Sequence, residues 1–355
     1  MTDTNPIQNQ ANKSTPIIWC LIAALFFGAS TPAAKVLLKD VGPLSLAGLL
    51  YLGAAIAVVP FSFKGGSKEL RRRPVNRRRI LGTVFFGGIA GPVLLLLGLR
   101  MAPAASVSLW LNLEGLATAL LGWLFFREHI GARIWLALAI MVAAGLLLSS
   151  PQGFELAPAA GLVLMACVCW GLDNNYTAIL DGYTPAQITL AKGLAACAVN
   201  LALGRLVGEP RPAAGFIAWS LVIGALGYGV SVLLYVMGAQ QLGATRSQLV
   251  FSTAPFIGVL IAWVGLGEPW QGVQVVAAAL MVLGLACMIS EHHSHPHQHQ
   301  ITPHTHLHRH DDGHHDHIHP DEAPGAQHTH VHQHRPLSHS HPHAPDLHHR
   351  HEHDH

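Results

Sequence analysis

The chain has 355 residues, 51% hydrophobic and 11% charged, with a mean hydropathy of +0.37. That balance excludes an ordinary soluble domain of this length and places the protein in lipid. Its net charge of +2 is divided: residues 291–355 hold 25 of the 26 histidines and nine acids against three arginines, a net −6, which leaves +8 for residues 1–290. The basic excess bears on membrane topology rather than on nucleic acid, and no nucleic-acid partner is expected.

Residues 1–16 are polar and read as an N-terminal tail. The apolar stretch after them lacks an A-x-A cleavage signal and is expected to be a retained helix. A membrane span needs about 20 apolar residues. Ten segments meet that length, at 17–38, 43–63, 80–100, 103–126, 131–149, 158–180, 185–206, 216–240, 243–266 and 271–289. The fold class expected is therefore all-α, a polytopic membrane protein of ten transmembrane helices with a disordered C-terminal tail. Loop 64–79 holds eight Lys or Arg and one acid, and should stay cytoplasmic. The weakly basic stretch 127–133 agrees, whereas loop 207–215, with Arg211 following Arg205, places two basic residues on the outer side. Counting from loop 64–79 puts both termini in the cytoplasm of a bacterial inner-membrane protein. Cys20, Cys167, Cys169, Cys197 and Cys287 lie in apolar segments as small hydrophobes, and no disulfide framework is implied.

A repeat of about 140 residues runs through the body. Residues 125–150 resemble 265–290, which sets Glu128 opposite Glu268, and 102–123 run parallel to 242–263. The halves open with 26–40 and 169–182, at an offset nearer 143. The domains expected are five-helix repeats at 17–149 and 158–289, followed by the tail 291–355. An odd number of spans per copy inverts the second relative to the first, as in secondary transporters.

Ionisable groups deep in a bilayer are expensive, about 2.5 kcal/mol or more at a helix centre, so each needs a reason. Glu114 lies in span four beside Asn112, Asp173 in span six ahead of Asn174 and Asn175, and Lys192 in span seven. One reading is a midplane site where carboxylates and amide oxygens bind a cation and exchange it for protons. The other is structural: Lys192 neutralises Asp173 or Glu114, and Asn112, Asn174 and Asn175 hydrogen-bond between helices. Lys35 and Arg246 sit near helix ends and suit a surface role, while Glu128 and Glu268 suit helix caps. Glycine and proline cluster at 87–92 in span three and 224–229 in span eight. Such clusters fit either interrupted helices at a substrate cavity or close packing.

The tail carries the densest chemical signal. His292, His293, His295, His297 and His299 form one run, and His304, His306, His308 and His310 a second. His314, His315, His317 and His319 form a third, and His328, His330, His332 and His334 a fourth. Alternating H-x-H lets neighbouring imidazoles converge on one ion without a folded scaffold. The absence of cysteine favours borderline divalent ions, Ni, Co or Zn, over Cu(I).

The body resembles the EamA proteins of the drug/metabolite transporter superfamily over about residues 17–289. The resemblance rests on the 5+5 layout, on Arg127-Glu128 and Gly267-Glu268 closing spans four and nine, and on Ser252-Thr253-Ala254-Pro255-Phe256 in span nine. The first half departs from it with Glu114-Gly115 where the second has Ala254-Pro255. The resemblance implies a ten-helix carrier without ATPase that works by alternating access, often outward. It extends to EamA-type proteins associated with nickel and cobalt resistance that carry a histidine-rich end.

The function expected is secondary-active, proton-coupled export of nickel or cobalt, with the tail collecting metal in the cytoplasm. An alternative is export of a small organic metabolite such as an amino acid. There, Lys192 would pair with a substrate carboxylate, Trp110, Trp170, Tyr228 and Tyr235 would line the pocket, and the tail would buffer metal. A third is a membrane-anchored metal store. No catalytic constellation or phosphate-binding loop is present, so no enzyme and no required cofactor are expected. The partners are membrane lipid and divalent metal ions or a small-molecule substrate, and a homodimer is compatible with the sequence.

Overall fold

The computed structural model describes residues 8–63, 65–126, 132–149, 158–242, 247, 250–289, 293–298, 303–308, 328–333 and 338–343. A helical unit spans Met1–Ser290, and a second unit comprises Glu291–Ala344.

The helical unit runs α1 (Gln8–Leu37), α2 (Pro43–Ser62), α3 (Lys68–Arg72), α4 (Pro74–Gly82), a π-helical stretch Thr83–Ala90 and α5 (Gly91–Met101). Next come α6 (Ala104–Trp110), α7 (Leu113–Phe126), α8 (Ala132–Ser149), α9 (Pro158–Ala178), α10 (Pro185–Leu206) and α11 (Ala214–Gly224). A second π-helical stretch, Ala225–Val230, leads to α12 (Ser231–Leu242), α13 (Ala254–Gly265) and α14 (Gly272–Ile289). Proline opens α2, α4, α9 and α10, where its missing N–H is no loss and its fixed φ suits the first turn. A capping box starts α10: the Thr184 hydroxyl accepts from Gln187 N–H at 3.3 Å, and the Gln187 amide oxygen accepts from Thr184 N–H at 3.1 Å.

Among the described residues, six helices are long and apolar enough to cross a membrane: Thr15–Leu37, Pro43–Ser62, Pro74–Met101, Ala104–Phe125, Pro185–Leu206 and Ala214–Gly238. Shorter apolar helices occupy Trp135–Leu148, Ala254–Gly265 and Gly272–Cys287. Polar Asp173, Asn174 and Asn175 interrupt the apolar run of α9. The surface of the unit is apolar, with Leu124, Leu136, Leu194 and Leu260 exposed, as lipid requires. Its core is built from small residues, among them fully buried Ala47, Ala54, Ala104, Ala196 and Ala262, which let helix backbones approach closely.

Contacts between the first five and last five segments come in exchanged pairs. α2 lies along α10 and α8 along α14. The π stretch Thr83–Ala90 touches α10, as Ala225–Val230 touches α2; α7 leans on α9, as α13 leans on α1.

The expected continuous spans four and nine are broken, at Leu111–Asn112 between α6 and α7 and at Ser252–Thr253 ahead of α13. Spans three and eight carry the π-helical stretches where glycine clusters. In each, a backbone N–H reaches five residues back, Gly91 to Phe86 O and Ser231 to Leu226 O.

Charged side chains close helix ends across the halves. The Glu209 carboxylate accepts from Leu44 N–H (3.0 Å) and Ser45 N–H (2.8 Å) at the start of α2. Glu268 accepts from Ala104 N–H (2.7 Å) and Ala105 N–H (2.9 Å) at the start of α6. Lys35 differs from its expected surface role. Its ammonium donates to Leu99 O (2.6 Å) and Ala102 O (2.8 Å), the free carbonyls where α5 ends. Glu268→Ala strips two N–H groups of a charged acceptor and should destabilise the fold by about 1–2 kcal/mol. Denaturant titration in detergent checks this, and an unchanged midpoint would show that the cap is dispensable.

Within the tail, four six-residue stretches are described, and they are strands. They are β1 (His293–Gln298), β2 (Pro303–His308), β3 (His328–Gln333) and β4 (Ser338–His343), with β1 paired antiparallel to β4 and β2 to β3. The two-residue alternation that spaces the histidines is also the period of an extended strand, and a two-stranded ladder needs no hydrophobic core, although alone it is only marginally stable in water.

Candidate functional site

The polar residues of spans four, six and seven converge. Asp173, on α9, is buried and forms an ion pair with Lys192 of α10, Nζ to Oδ2 2.6 Å, with side-chain exposures of 8% and 16%. The Thr177 hydroxyl donates to the other carboxylate oxygen at 3.3 Å. Glu114 stands in the first turn of α7, just past the break in span four, where a helix start favours negative charge; its own N–H donates to Leu111 O at 3.1 Å. Asn174 donates to Glu114 Oε1 at 3.0 Å and to Thr118 Oγ1 at 3.2 Å. Glu114 is half-buried and Asn174 exposed, so this carboxylate is not sealed between helices. Among the described residues the ion pairs are Lys192–Asp173 and Arg79–Asp181, and neither involves Glu114. Through Asn174, the neighbour of Asp173 on α9, Glu114 is nonetheless held in the same cluster as the ion pair.

Both readings of these residues therefore find a place. Lys192 neutralises Asp173, as the structural one has it, and no described cation forms an ion pair with Glu114. Asn175 donates to Thr118 O (3.0 Å) and Gly171 O (2.8 Å), tying α9 to α7. Asn112, in the break itself, donates to Leu109 O at 3.0 Å and approaches Met281 Sδ at 3.7 Å, away from the carboxylates.

The sequence reading missed Tyr51, and it named Gly87 only as a member of the cluster 87–92. In the π-helical register Gly91 N–H is spent on Phe86 O, so Gly87 O loses its usual α-helical donor, and Pro92, five residues on, has no N–H to replace it. Two side chains take over: the Tyr51 hydroxyl and Trp170 Nε1 (3.2 Å) both donate to Gly87 O. A Cβ on Gly87 would collide with the Asp173 carboxylate, so the glycine is what admits α9 here. The signal was a proline five residues past a glycine inside a predicted span.

Aromatic side chains from four spans make a wall beside these groups. Tyr51 and Tyr228 have ring centroids 5.7 Å apart, Phe27 and Tyr228 5.9 Å, Phe27 and Phe251 5.4 Å, and Tyr235 and Phe251 4.9 Å. Of the four aromatics expected at the pocket, Tyr228 and Tyr235 belong to this wall and Trp170 braces Gly87, while Trp110 is buried with an unpartnered Nε1.

No group of three or more His, Cys, Asp or Glu side chains able to hold a metal occurs among the described residues. Glu128 and Arg246 lie outside those residues, as do His292, His299, His310, His314, His315, His317, His319 and His334. The remaining predicted tail ligands fall on the strands in register: His293, His295 and His297 stand opposite His343, His341 and His339. His304, His306 and His308 stand opposite His332, His330 and His328.

Comparison with known proteins accounts for this body. The model of the EamA-like transporter family matches residues 14–150 and again 157–290. The chain belongs to that family. A protein described as an uncharacterized transporter in Methanothermobacter thermautotrophicus is 23% identical over 288 residues, covering 75% of this chain and 83% of its own. The uncharacterized inner membrane transporter YicL of Salmonella typhimurium is 22% identical over 286 residues, 75% of this chain and 93% of its own. A "probable terminal-alkyne amino-acid exporter" of Streptantibioticus cattleyicolor is 30% identical over 136 residues, 37% of this chain and 45% of its own. One solved crystal structure superposes with a TM-score of 0.57 at 19% identity, over 76% of this chain and 95% of that one, a likeness in fold alone. The EamA-like chain is thus a multi-pass membrane transporter, in contact with lipid and with the small molecule it moves.

Proposed function

We propose that this EamA-like transporter exports a small organic solute of net charge +1, an amine or a cationic amino acid, in exchange for a proton at Glu114. The observation that carries the reading is the ion pair of Lys192 with Asp173, which among the described residues leaves Glu114 as a carboxylate without an ion-pair partner, beside an aromatic wall. With two carboxylates and one ammonium the cluster holds a net −1, which one proton or one monovalent cation neutralises. A carboxylate in low dielectric favours neutralisation, so proton and solute compete for it and neither site stays filled by both. In this reading all ten segments span the inner membrane as two inverted repeats, with both termini cytoplasmic. Wrapping a solute in rings suits an organic cation better than a hydrated divalent metal, which asks for several nitrogen or oxygen ligands. The relative described as an amino-acid exporter supports the same substrate class.

Inside-out membrane vesicles with an acid interior test the proposal, using a panel of labelled amino acids and small amines. One-for-one exchange of a monocation for a proton accumulates solute about tenfold per pH unit imposed. If no panel member accumulates, while cells holding the protein retain less nickel or cobalt than cells without it, the organic reading fails.

A specific observation favours a second reading, export of nickel or cobalt with the tail as collector: twelve histidines placed opposite one another across two antiparallel ladders. Residues opposed across a ladder have Cβ atoms about 4.5–5.5 Å apart, within the span of two imidazoles on one ion. Deleting residues 291–355 separates the two readings, because the organic solute would still accumulate and a tail-fed metal would not.

A further inference from the structure

The basic segment between α2 and α5 is not a loose loop. Asn76, 1% exposed, donates from Nδ2 to Leu70 O (2.8 Å) and to Asp181 O (3.2 Å). Ser67 N–H donates to Gly182 O at 3.0 Å. Gly182 adopts φ +81°, and a Cβ there would crowd Leu70 and Ser67 O, so glycine alone suits the contact. Arg79 donates to Ile179 O and lies 3.9 Å from Asp181 Oδ2, while Arg71 stacks 5.6 Å from the Tyr183 ring centroid and reaches Gln187 Oε1 at 3.4 Å. These bonds fix α3 and α4 as a shelf against the turn that precedes α10.

Two arginines are consumed in holding the shelf. Four others, Arg72, Arg73, Arg77 and Arg78, are exposed, and their guanidinium groups make no hydrogen bond or ion pair among the described residues. Apolar side chains flank them at the ends of the adjoining spans, Phe63 at 80% exposure, Leu81 at 67% and Phe61 at 58%. Four guanidinium groups held within seven residues repel one another, and Arg forks match phosphate oxygens in bidentate geometry. Exposed rings and a leucine beside them belong at the depth where acyl chains begin.

We propose that Arg72, Arg73, Arg77 and Arg78 form a binding site for the headgroup of an anionic glycerophospholipid, with Phe61, Phe63 and Leu81 seated among its acyl chains. The site is independent of the transported solute. A flexible basic loop would collect anionic lipid only by average charge; a fixed shelf recognises a phosphate by position, and it keeps lipid through purification.

Native mass spectrometry of the full-length protein, released from vesicles of phosphatidylcholine mixed with phosphatidylglycerol, tests the site. Retained phosphatidylglycerol adducts should exceed phosphatidylcholine adducts. Each Arg→Gln substitution should weaken retention about fivefold, so that R72Q/R73Q/R77Q/R78Q loses it. R72K/R73K/R77K/R78K keeps the charge without the fork and should retain an intermediate amount, and Arg211→Gln should change nothing. Equal retention of both lipids, or undiminished retention by the four-Gln variant, overturns the proposal. Inorganic phosphate added at release should not displace the lipid; displacement would mark a site for free phosphate and also overturn it. Should the four-Gln variant fail to fold, the single Gln variants carry the test, and uniform retention among them refutes the site.

Discussion

Glu114→Gln should yield a folded protein that no longer moves solute uphill. Gln keeps the volume, the position in the first turn of α7 and an oxygen able to accept from Asn174 at the 3.0 Å contact. The Lys192–Asp173 pair does not touch it. What disappears is a group that changes charge. Without it a proton has nothing to exchange against, and a monocation loses its counter-ion within the bundle. In acid-interior vesicles the accumulation ratio should fall from about tenfold per pH unit to one, while the midpoint of denaturant unfolding stays within about 1 kcal/mol of the parent. Glu114→Asp still titrates but stands one methylene short, and should recover part of the accumulation. If Glu114→Gln accumulated solute as the parent does, Glu114 would have no part in coupling and the proposed mechanism would fail.

Much of this architecture could be read from the chain because lipid is an undemanding solvent. It asks only for apolar runs of about 20 residues with their backbone bonds satisfied internally, and the ten runs between 17 and 289 each contain helix. The glycine clusters at 87–92 and 224–229 marked the two spans that carry π-helical stretches. The break at Leu111–Asn112 had no such mark, since neither residue forbids helix. It follows from tertiary packing, which propensity does not see. Charge alone named Glu114, Asp173 and Lys192 but could not say which carboxylate the lysine serves. That depends on the rotation of α9 against α10, and the rotation depends on Gly87 being small enough to admit Asp173. Lys35 looked like a snorkelling residue because its helix end is near; its true partners, Leu99 O and Ala102 O, lie more than sixty residues on. Glu209 had no part in the sequence reading, because its partners, Leu44 N–H and Ser45 N–H, lie more than 160 residues earlier.

The Lys192–Asp173 pair should show strong energetic coupling. Lys192→Met leaves the Asp173 carboxylate, 8% exposed, with the Thr177 hydroxyl as its side-chain donor among the described residues, and should cost about 3–5 kcal/mol. Asp173→Leu strands the ammonium at a similar cost. The double variant removes both charges and fills their volume with apolar groups, so it should regain most of the stability or exceed the parent. Denaturant titration of the four proteins in detergent gives the coupling energy directly, and simple additivity of the two losses would mean that the pair does not form in the folded protein. Transport by the double variant asks a separate question. Lys192 and Asp173 belong to the same cluster as Glu114, so removing both changes the charges around that carboxylate. Without Lys192 and Asp173 the cluster still holds −1, now on Glu114 alone, so one proton still neutralises it. The double variant should therefore keep exchange while the pH at which its rate is half-maximal moves. That separates a pair that tunes the carrier from one that only braces it, for which the pH profile would stay where it was.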